Sequence, residues 1–486
     1  MRVAVFGSCP LPIEKGVPAQ GPGIRTWQLI KPLCDNGHEV LALCLRTEGI
    51  YKDANEIRLP EYQGLKMYNL GYEEFIDDPS IRKSVEKFQP DAIVGAASAL
   101  PNFMASKMAD IAPFWADCFG DPVSEIQAKA ELYGRKRCAD ELFGIWKMYR
   151  AVLARADHFS ALSDAQNHAL VGELAMLGRL GYDNAGHRLT ETIPCGVEEA
   201  PPLPKTPPEG FLRGEKIPEN AFVVCFSGSY NTWMDLELLF DGLDEAMNQN
   251  PDICFLSIGG GTAGYNEKLY NDFRRKVETS PNRDRYILCG WVPFEEVPKY
   301  YAEADLGINV DRFTYEGVLG SRNRIIQFLA HGIPAATTPL SEISRRLASR
   351  GLVFCFRMKD QEKAPGDMES LSELLVRLSG KCNELKKTGF RGRDIIVSEY
   401  NYAVTAKPLL RWLENPARSP DNAARYKMSG ARGRNYRNEI ERLSDVDAME
   451  EYIRYLEGEK KVLDRIRKNP VYRVLKILKR TIARRK

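Results

Sequence analysis

The chain has no apolar run near the ~20 residues that span a bilayer, so it is not expected to cross a membrane. Its opening, MRVAVFGSCPLP, has one Arg and a short apolar stretch, too little for a secretory signal, and a cytoplasmic protein is expected. No CxxC pair occurs among the 11 Cys. Several of these, such as Cys225, Cys254 and Cys289, sit in apolar runs and read as reduced core residues. The five His (His38, His158, His168, His187 and His331) are isolated, so no metal site is expected. A GxSxG elbow and a GxxxxGK phosphate loop are both missing, which removes the commonest hydrolase and kinase motifs.

What is present is a length of 486 residues with 44% hydrophobic and 28% charged residues, enough for two or three domains with sizeable cores. Apolar runs alternate with amphipathic helical patterns, the sequence form of a parallel sheet covered by helices, and they do so twice. Strands are expected at 3–6, 40–44, 92–95, 114–116, 158–162 and 192–193, then at 222–226, 254–258, 286–289, 306–310, 335–337 and 353–356. Leu236, Leu239, Leu243 and Met247 share one helical face suited to packing on a sheet. The fold class is therefore α/β, with two doubly wound, Rossmann-like domains at 1–198 and 219–395, joined by a Pro-rich linker at 199–218. A returning helix is expected at 396–415 and a charged helical tail at 416–486. Ligands of open parallel sheets bind beyond the carboxyl ends of the strands, so the cleft between the domains is the expected site.

The net charge of +2 is uneven: the segment from Lys460 to Lys486 holds about twelve basic residues against the single Asp464. Val471, Val474, Leu475, Leu478 and Ile482 form an apolar stripe among these cations, a pattern that lies on anionic lipid. Nucleic-acid contact or a helix packed on a partner are the alternatives, and no nucleic acid is expected.

Three segments carry candidate chemistry. After the first strand, Gly21 and Gly23 precede a helix whose free amides suit a phosphate, with Arg25 as a nearby cation; alternatively the glycines only turn the chain. GGGTAG, starting at Gly259, matches GxGxxG, but no acidic residue ends the strand that follows, so it reads equally as a tight turn beside a ligand. In DRFTYEGVLGSRNRIIQFLAHGIP, Gly320 and Ser321 open a helix that would offer amides to a diphosphate, with Arg322 and Arg324 as its cations unless these are surface charges. Gln327 is a candidate ribose partner or a half-buried polar residue.

These pieces, in order, resemble the GT-B glycosyltransferases, and among them glycosyltransferase family 4, from residue 1 to about 415. GPGIRTWQLIKPLCDNGHEV resembles the family's glycine loop, helix and second strand. ADHFSALSDAQNHAL, TIPCGVE and YILCGWVPFEEVPKYYAEADLGINV resemble three further family segments. The family's two glutamates separated by seven residues are altered: Leu319 and Gln327 stand in their places, and Glu316, a short step upstream, is the candidate replacement carboxylate. The basic pair after the first strand of the second domain is also missing. The resemblance places Gly228 and Ser229 there, leaving Arg322 and Arg324 to supply the charge. It further implies Trp291, Val292 and Gly259 around the nucleoside, although Trp291 could equally close a core. PFWADCFGDP resembles the segment that faces the reacting sugar, with Asp117 and Asp121 as catalytic candidates or, alternatively, loop caps.

The resemblance implies a transferase that takes a nucleoside diphosphate sugar as donor, needs no metal or cofactor, and retains the anomeric configuration. The tail points to a cell-envelope acceptor (lipopolysaccharide, polysaccharide or lipid-linked) reached from the inner face of the cell membrane. A nucleotide-sugar 2-epimerase is one rival and a catalytically inactive, glycosyltransferase-like scaffold the other.

Overall fold

The computed structural model describes residues 1–51, 59–198, 211–262, 267–359 and 368–427. The first half of the chain builds a seven-stranded parallel sheet from β1 (Arg2–Cys9), β2 (Glu39–Arg46), β3 (Leu65–Leu70), β4 (Ala92–Gly95), β5 (Phe114–Cys118), β6 (His158–Ala161) and β7 (Thr190–Thr192). Its strand order is β3-β2-β1-β4-β5-β6-β7. The second half repeats the plan with β8 (Phe222–Ser227), β9 (Ile253–Ile258), β10 (Tyr286–Gly290), β11 (Leu306–Asn309), β12 (Ala335–Thr337) and β13 (Val353–Cys355), in the order β10-β9-β8-β11-β12-β13. Every neighbouring pair is parallel, and apart from the β2–β3 connection the successive strands within each sheet are joined through helices that cover the sheet.

The local reasons are plain in the sequence. Runs such as FVVCF at 222–226 are apolar without alternation, as strands buried on both faces must be. Leu239, Leu243 and Met247 of the Leu236–Gln249 helix are buried against β8 and its neighbours. The strand absent from the sequence reading is β3, an edge strand in which only Met67 is buried. A strand with one covered residue carries almost no hydrophobic signal.

Three expected boundaries move. Residues 199–210 of the linker lie outside the described residues, but Leu212 and Ile217 are buried in the second domain's core, so its end is part of that domain. The break expected at 395 falls inside the Cys382–Glu399 helix. The chain crosses back just after it, where Asn401 pairs with Val197. Tyr402, Leu409 and Leu413 then join the first domain's core beside Trp27 and Trp115. The expected tail also begins later than 416. Asp421 pairs with Arg179, which is fully buried, and Asn422 and Ser419 bond to Asp157 at 2.7 and 3.0 Å, bolting this stretch to the first domain. Residues 428–486, including the basic stripe, lie outside the described residues.

Candidate active site

A cleft of about 1310 Å³ runs between the carboxyl edges of the two sheets and is lined from both domains. The loop after β1 reaches across it. Gly16 N donates to Glu295 Oε1 at 2.8 Å, Val17 O accepts from Phe294 N at 3.0 Å, and Gln20 Nε2 donates to Thr262 Oγ1 at 3.0 Å. Arg312 of the second domain donates to Ala128 O of the first at 2.7 Å.

On the second-domain side, β8 and β9 end in loops that touch. Gly228 has φ +97 and Gly259 φ +129, and a Cβ on Gly259 would lie 2.2 Å from the Gly228 carbonyl oxygen. Only glycine tolerates both the backbone region and this approach. Beside Gly228, Arg324 reaches back from the Asn323–Ala330 helix. Its guanidinium lies 3.8 Å from the Phe226 ring centroid and donates to Ser227 O, to Ser229 O at 2.9 Å and to Asn309 Oδ1 at 3.0 Å. All these acceptors are neutral, and Arg324 has no carboxylate ion-pair partner among the described residues. Burial pushes it down to about 10. A half-buried cation without a counter-ion, opening on a cleft, is stabilised by an anion that enters.

Arg322 also lines the cleft, but its guanidinium is ion-paired within the protein. Its Nε donates to Asp311 Oδ2 at 2.9 Å, and its two Nη atoms reach both oxygens of Glu316 at 3.3 and 3.1 Å. Burial alone would weaken its charge, but Asp311 and Glu316 more than reverse that. Its positive charge is consumed inside the protein. Gly320 is corrected: it does not line the cleft, and a Cβ there would meet Glu316 Oε1 at 2.5 Å, so its role is to leave room for the clamp. Glu316 does line the cleft. Burial raises its carboxyl to about 7, with Asp311 and Glu125 opposing the help from Arg322.

The nucleoside candidates stand together. Gly259, Trp291, Val292 and Gln327 line the cleft with Gly228, Ser229 and Ser321. The indole Nε1 of Trp291 donates to Gly261 O at 3.0 Å, which fixes the ring as a wall. Gln327 lines the same space, and its side-chain amide has no hydrogen bond among the described residues.

The first-domain candidates fare differently. Gly21 lines the cleft next to the Phe119 ring. Gly23 does not: its Cβ would sit 1.9 Å from Pro10 O, so it permits close packing of helix on loop. Arg25 and Asp117 are corrected together. Both are buried, and Arg25 binds both carboxylate oxygens of Asp117 at 2.9 and 2.6 Å while also donating to Ile193 O and Pro194 O. Ser160 Oγ donates to Asp117 as well, at 2.7 Å. The pair ties the Gly21–Asp35 helix to β5 and the end of β7, and neither residue lines the cleft. Asp121 caps the Pro122–Tyr133 helix by accepting from Ser124 N at 2.6 Å and does not line the cleft, which corrects its catalytic role.

The sequence reading missed cleft-lining residues with no motif to mark them. Glu125 is one helical turn beyond Asp121, and burial raises its carboxyl. Trp233, Asn309 and His331 also line the site. Ala97, next to Ser98 at the end of β4, has φ +73, a strained backbone for a residue with a side chain. Among the described residues no group of three or more His, Cys, Asp or Glu could hold a metal ion, and no helix is long and apolar enough to cross a membrane.

No protein-family model matches the chain, and no curated protein does. Solved structures do. Sucrose-phosphate synthase from Thermosynechococcus elongatus is 17% identical with a TM-score of 0.61, over 86% of this chain and all (100%) of that one. Anabaena HepE in complex with UDP-glucose is 14% identical with a TM-score of 0.56, over 85% and 99%. A trehalose-6-phosphate protein of E. coli, bound with UDP-2-fluoro glucose, is 12% identical with a TM-score of 0.57, over 86% and 100%. At such identities the likeness is one of architecture: two Rossmann-like domains facing a cleft, with the chain returning to the first, is the GT-B fold.

Proposed function

We propose that this protein is a glycosyltransferase that takes a nucleoside diphosphate sugar as donor and passes the sugar to a cell-envelope acceptor. The observation that carries the reading is Arg324, a cation held without a counter-ion at the glycine-lined end of β8, in the interdomain cleft. The donor diphosphate lies against Arg324 beside Gly228 and Ser229, and the nucleoside lies toward Trp291, Val292 and Gln327. Breaking the glycosidic bond leaves negative charge on the diphosphate. A pre-positioned guanidinium stabilises that charge, and in this scheme no metal ion is needed. The loop after β1, which already bridges the cleft, excludes water that would hydrolyse the donor. Retention at the anomeric carbon, with the leaving phosphate deprotonating the acceptor, is the stereochemical part of the proposal. The neighbours bound to UDP-glucose and UDP-2-fluoro glucose support a uridine nucleotide as the first candidate. The basic 460–486 segment supports work at the inner membrane face.

The test is a thermal-shift panel with UDP, GDP, ADP, CMP and dTDP on wild type and Arg324→Gln. At ~100 times its Kd a nucleotide adds about 2.7 kcal/mol, so one should raise the wild-type transition and lose that rise in the variant. Selective binding without transfer from any donor would point to the scaffold. No rise with any nucleotide would sink the donor site.

A further inference from the structure

The segment between β1 and the Gly21–Asp35 helix is anchored in one domain and latched to the other. Its root is Glu14, buried in the first domain. The Glu14 carboxylate accepts from Leu11 N and from the Tyr51 hydroxyl, both at 2.7 Å, and Asn69 Nδ2 donates to that hydroxyl at 2.9 Å. Lys15 and Gly16, which follow, are exposed. From there the chain bonds to the second domain through Gly16 N on Glu295 Oε1, Val17 O on Phe294 N, and the Gln20 side chain on Thr262 Oγ1.

These contacts flank Trp291. Thr262 follows Gly261, whose carbonyl takes the indole N–H, and Phe294 and Glu295 come just after the ring in sequence. Pro18, Ala19 and Gln20 line the cleft together with Trp291 and Val292. The strap therefore crosses the wall against which the donor nucleoside is proposed to lie. Its latch is made of single hydrogen bonds, and the one from Gly16 to Glu295 is exposed, so water can replace it at little cost. The Glu14 root, by contrast, is buried and returns the strap to the same place after each opening. We propose that residues 15–20 form a gate over the donor nucleotide, held shut by Thr262, Phe294 and Glu295, and that the strength of this latch sets how fast nucleotide enters and leaves. The gate rests on the donor site proposed above and adds to it a control on exchange.

UDP, GDP, ADP, CMP and dTDP are the probes, titrated with the full-length protein. For the one that binds, phosphorus resonances give Kd and, from exchange broadening, the dissociation rate; the association rate is their ratio. Glu295→Ala and Gln20→Ala each remove one latch bond, and such a bond is worth a factor of about two to ten. In each variant entry and release should both quicken by that factor, leaving Kd within about threefold of wild type, and the double variant should exceed either. Only a gate speeds both. Removing the Glu295 charge, if it acted merely on the incoming anion, would speed entry and slow release. Removing an ordinary ligand contact would speed release alone. Either of those patterns, or unchanged rates, overturns the gate. If Glu295→Ala does not fold, Gln20→Ala decides. Binding with rates unchanged in the variants removes the gate and leaves the donor site standing, whereas no binding of any of the five nucleotides removes both.

Discussion

The two halves of the molecule treat the same problem in opposite ways. Each sheet has a central strand flanked by its crossovers, each ends in glycine-containing loops, and each brings an Arg from the neighbouring helix toward its carboxyl edge. In the first domain that Arg is Arg25, and Asp117 takes its charge in a two-bond ion pair sealed from water. In the second it is Arg324, which donates only to carbonyl and amide oxygens. One cation is ion-paired inside the fold; the other lines the cleft with no ion pair among the described residues. Arg322, two residues from Arg324, shows how local the distinction is, because Asp311 and Glu316 neutralise it completely. In this protein an arginine's role is set by whether a carboxylate reaches it.

The largest effect should come from breaking the first-domain pair. Asp117→Ala leaves Arg25 buried with no counter-charge, and removing one partner of a buried pair costs about 3–5 kcal/mol. Urea unfolding should show that loss, while nucleotide affinity of the folded fraction stays within twofold. Arg324→Gln should do the reverse, leaving the urea midpoint where it is and removing nucleotide binding. Had Asp117 been a catalytic group, its loss would remove activity with little change in stability, so the two variants together decide the contrast.

A middle effect is expected at the glycine contact beneath Arg324. Gly259→Ala puts a methyl group against the Gly228 carbonyl in a backbone region that side chains avoid, at a cost on the order of 1–3 kcal/mol. Because the Gly228 loop must move to make room, nucleotide binding should weaken together with the unfolding midpoint. A change in stability alone would mean that Gly228 is not at the donor.

Most of the fold was legible because strands covered on both faces are mainly apolar, as β8 and β9 are with one Ser each. Edge strand β3 was not, since five of its six residues escape burial and Lys66 and Asn69 interrupt its apolar run. At the site, Trp291 and Gln327, singled out from the sequence, both line the cleft. The fate of the arginines was not. The carboxylate that silences Arg25 lies 92 residues away in sequence, and only the sheet brings β5 beside the first helix. Arg322 and Arg324 are spaced alike on paper, yet one turns toward Asp311 and the other toward Asn309 and the β8 loop. Local sequence gives the residue type, and three-dimensional pairing gives its charge balance.

The smallest effect sharpens the comparison at the Arg322 clamp, where one guanidinium serves two carboxylates. Burial near Asp311 and Glu125 raises Glu316 from 4.5 to about 7 in the folded chain. The folded state therefore binds a proton more tightly than the unfolded state does, and its contribution to stability is fully present below about pH 4.5 and is lost as pH rises through 7. Each unit of difference corresponds to about 1.4 kcal/mol, so the wild type should lose on the order of 1–3 kcal/mol relative to Glu316→Gln between pH 5 and pH 8. Urea midpoints of the two proteins across that range measure it. A flat difference would mean that Arg322 keeps Glu316 ionised throughout. The clamp would then be a balanced pair like Arg25 with Asp117, in contrast to Arg324, a half-buried cleft cation with no carboxylate ion pair among the described residues.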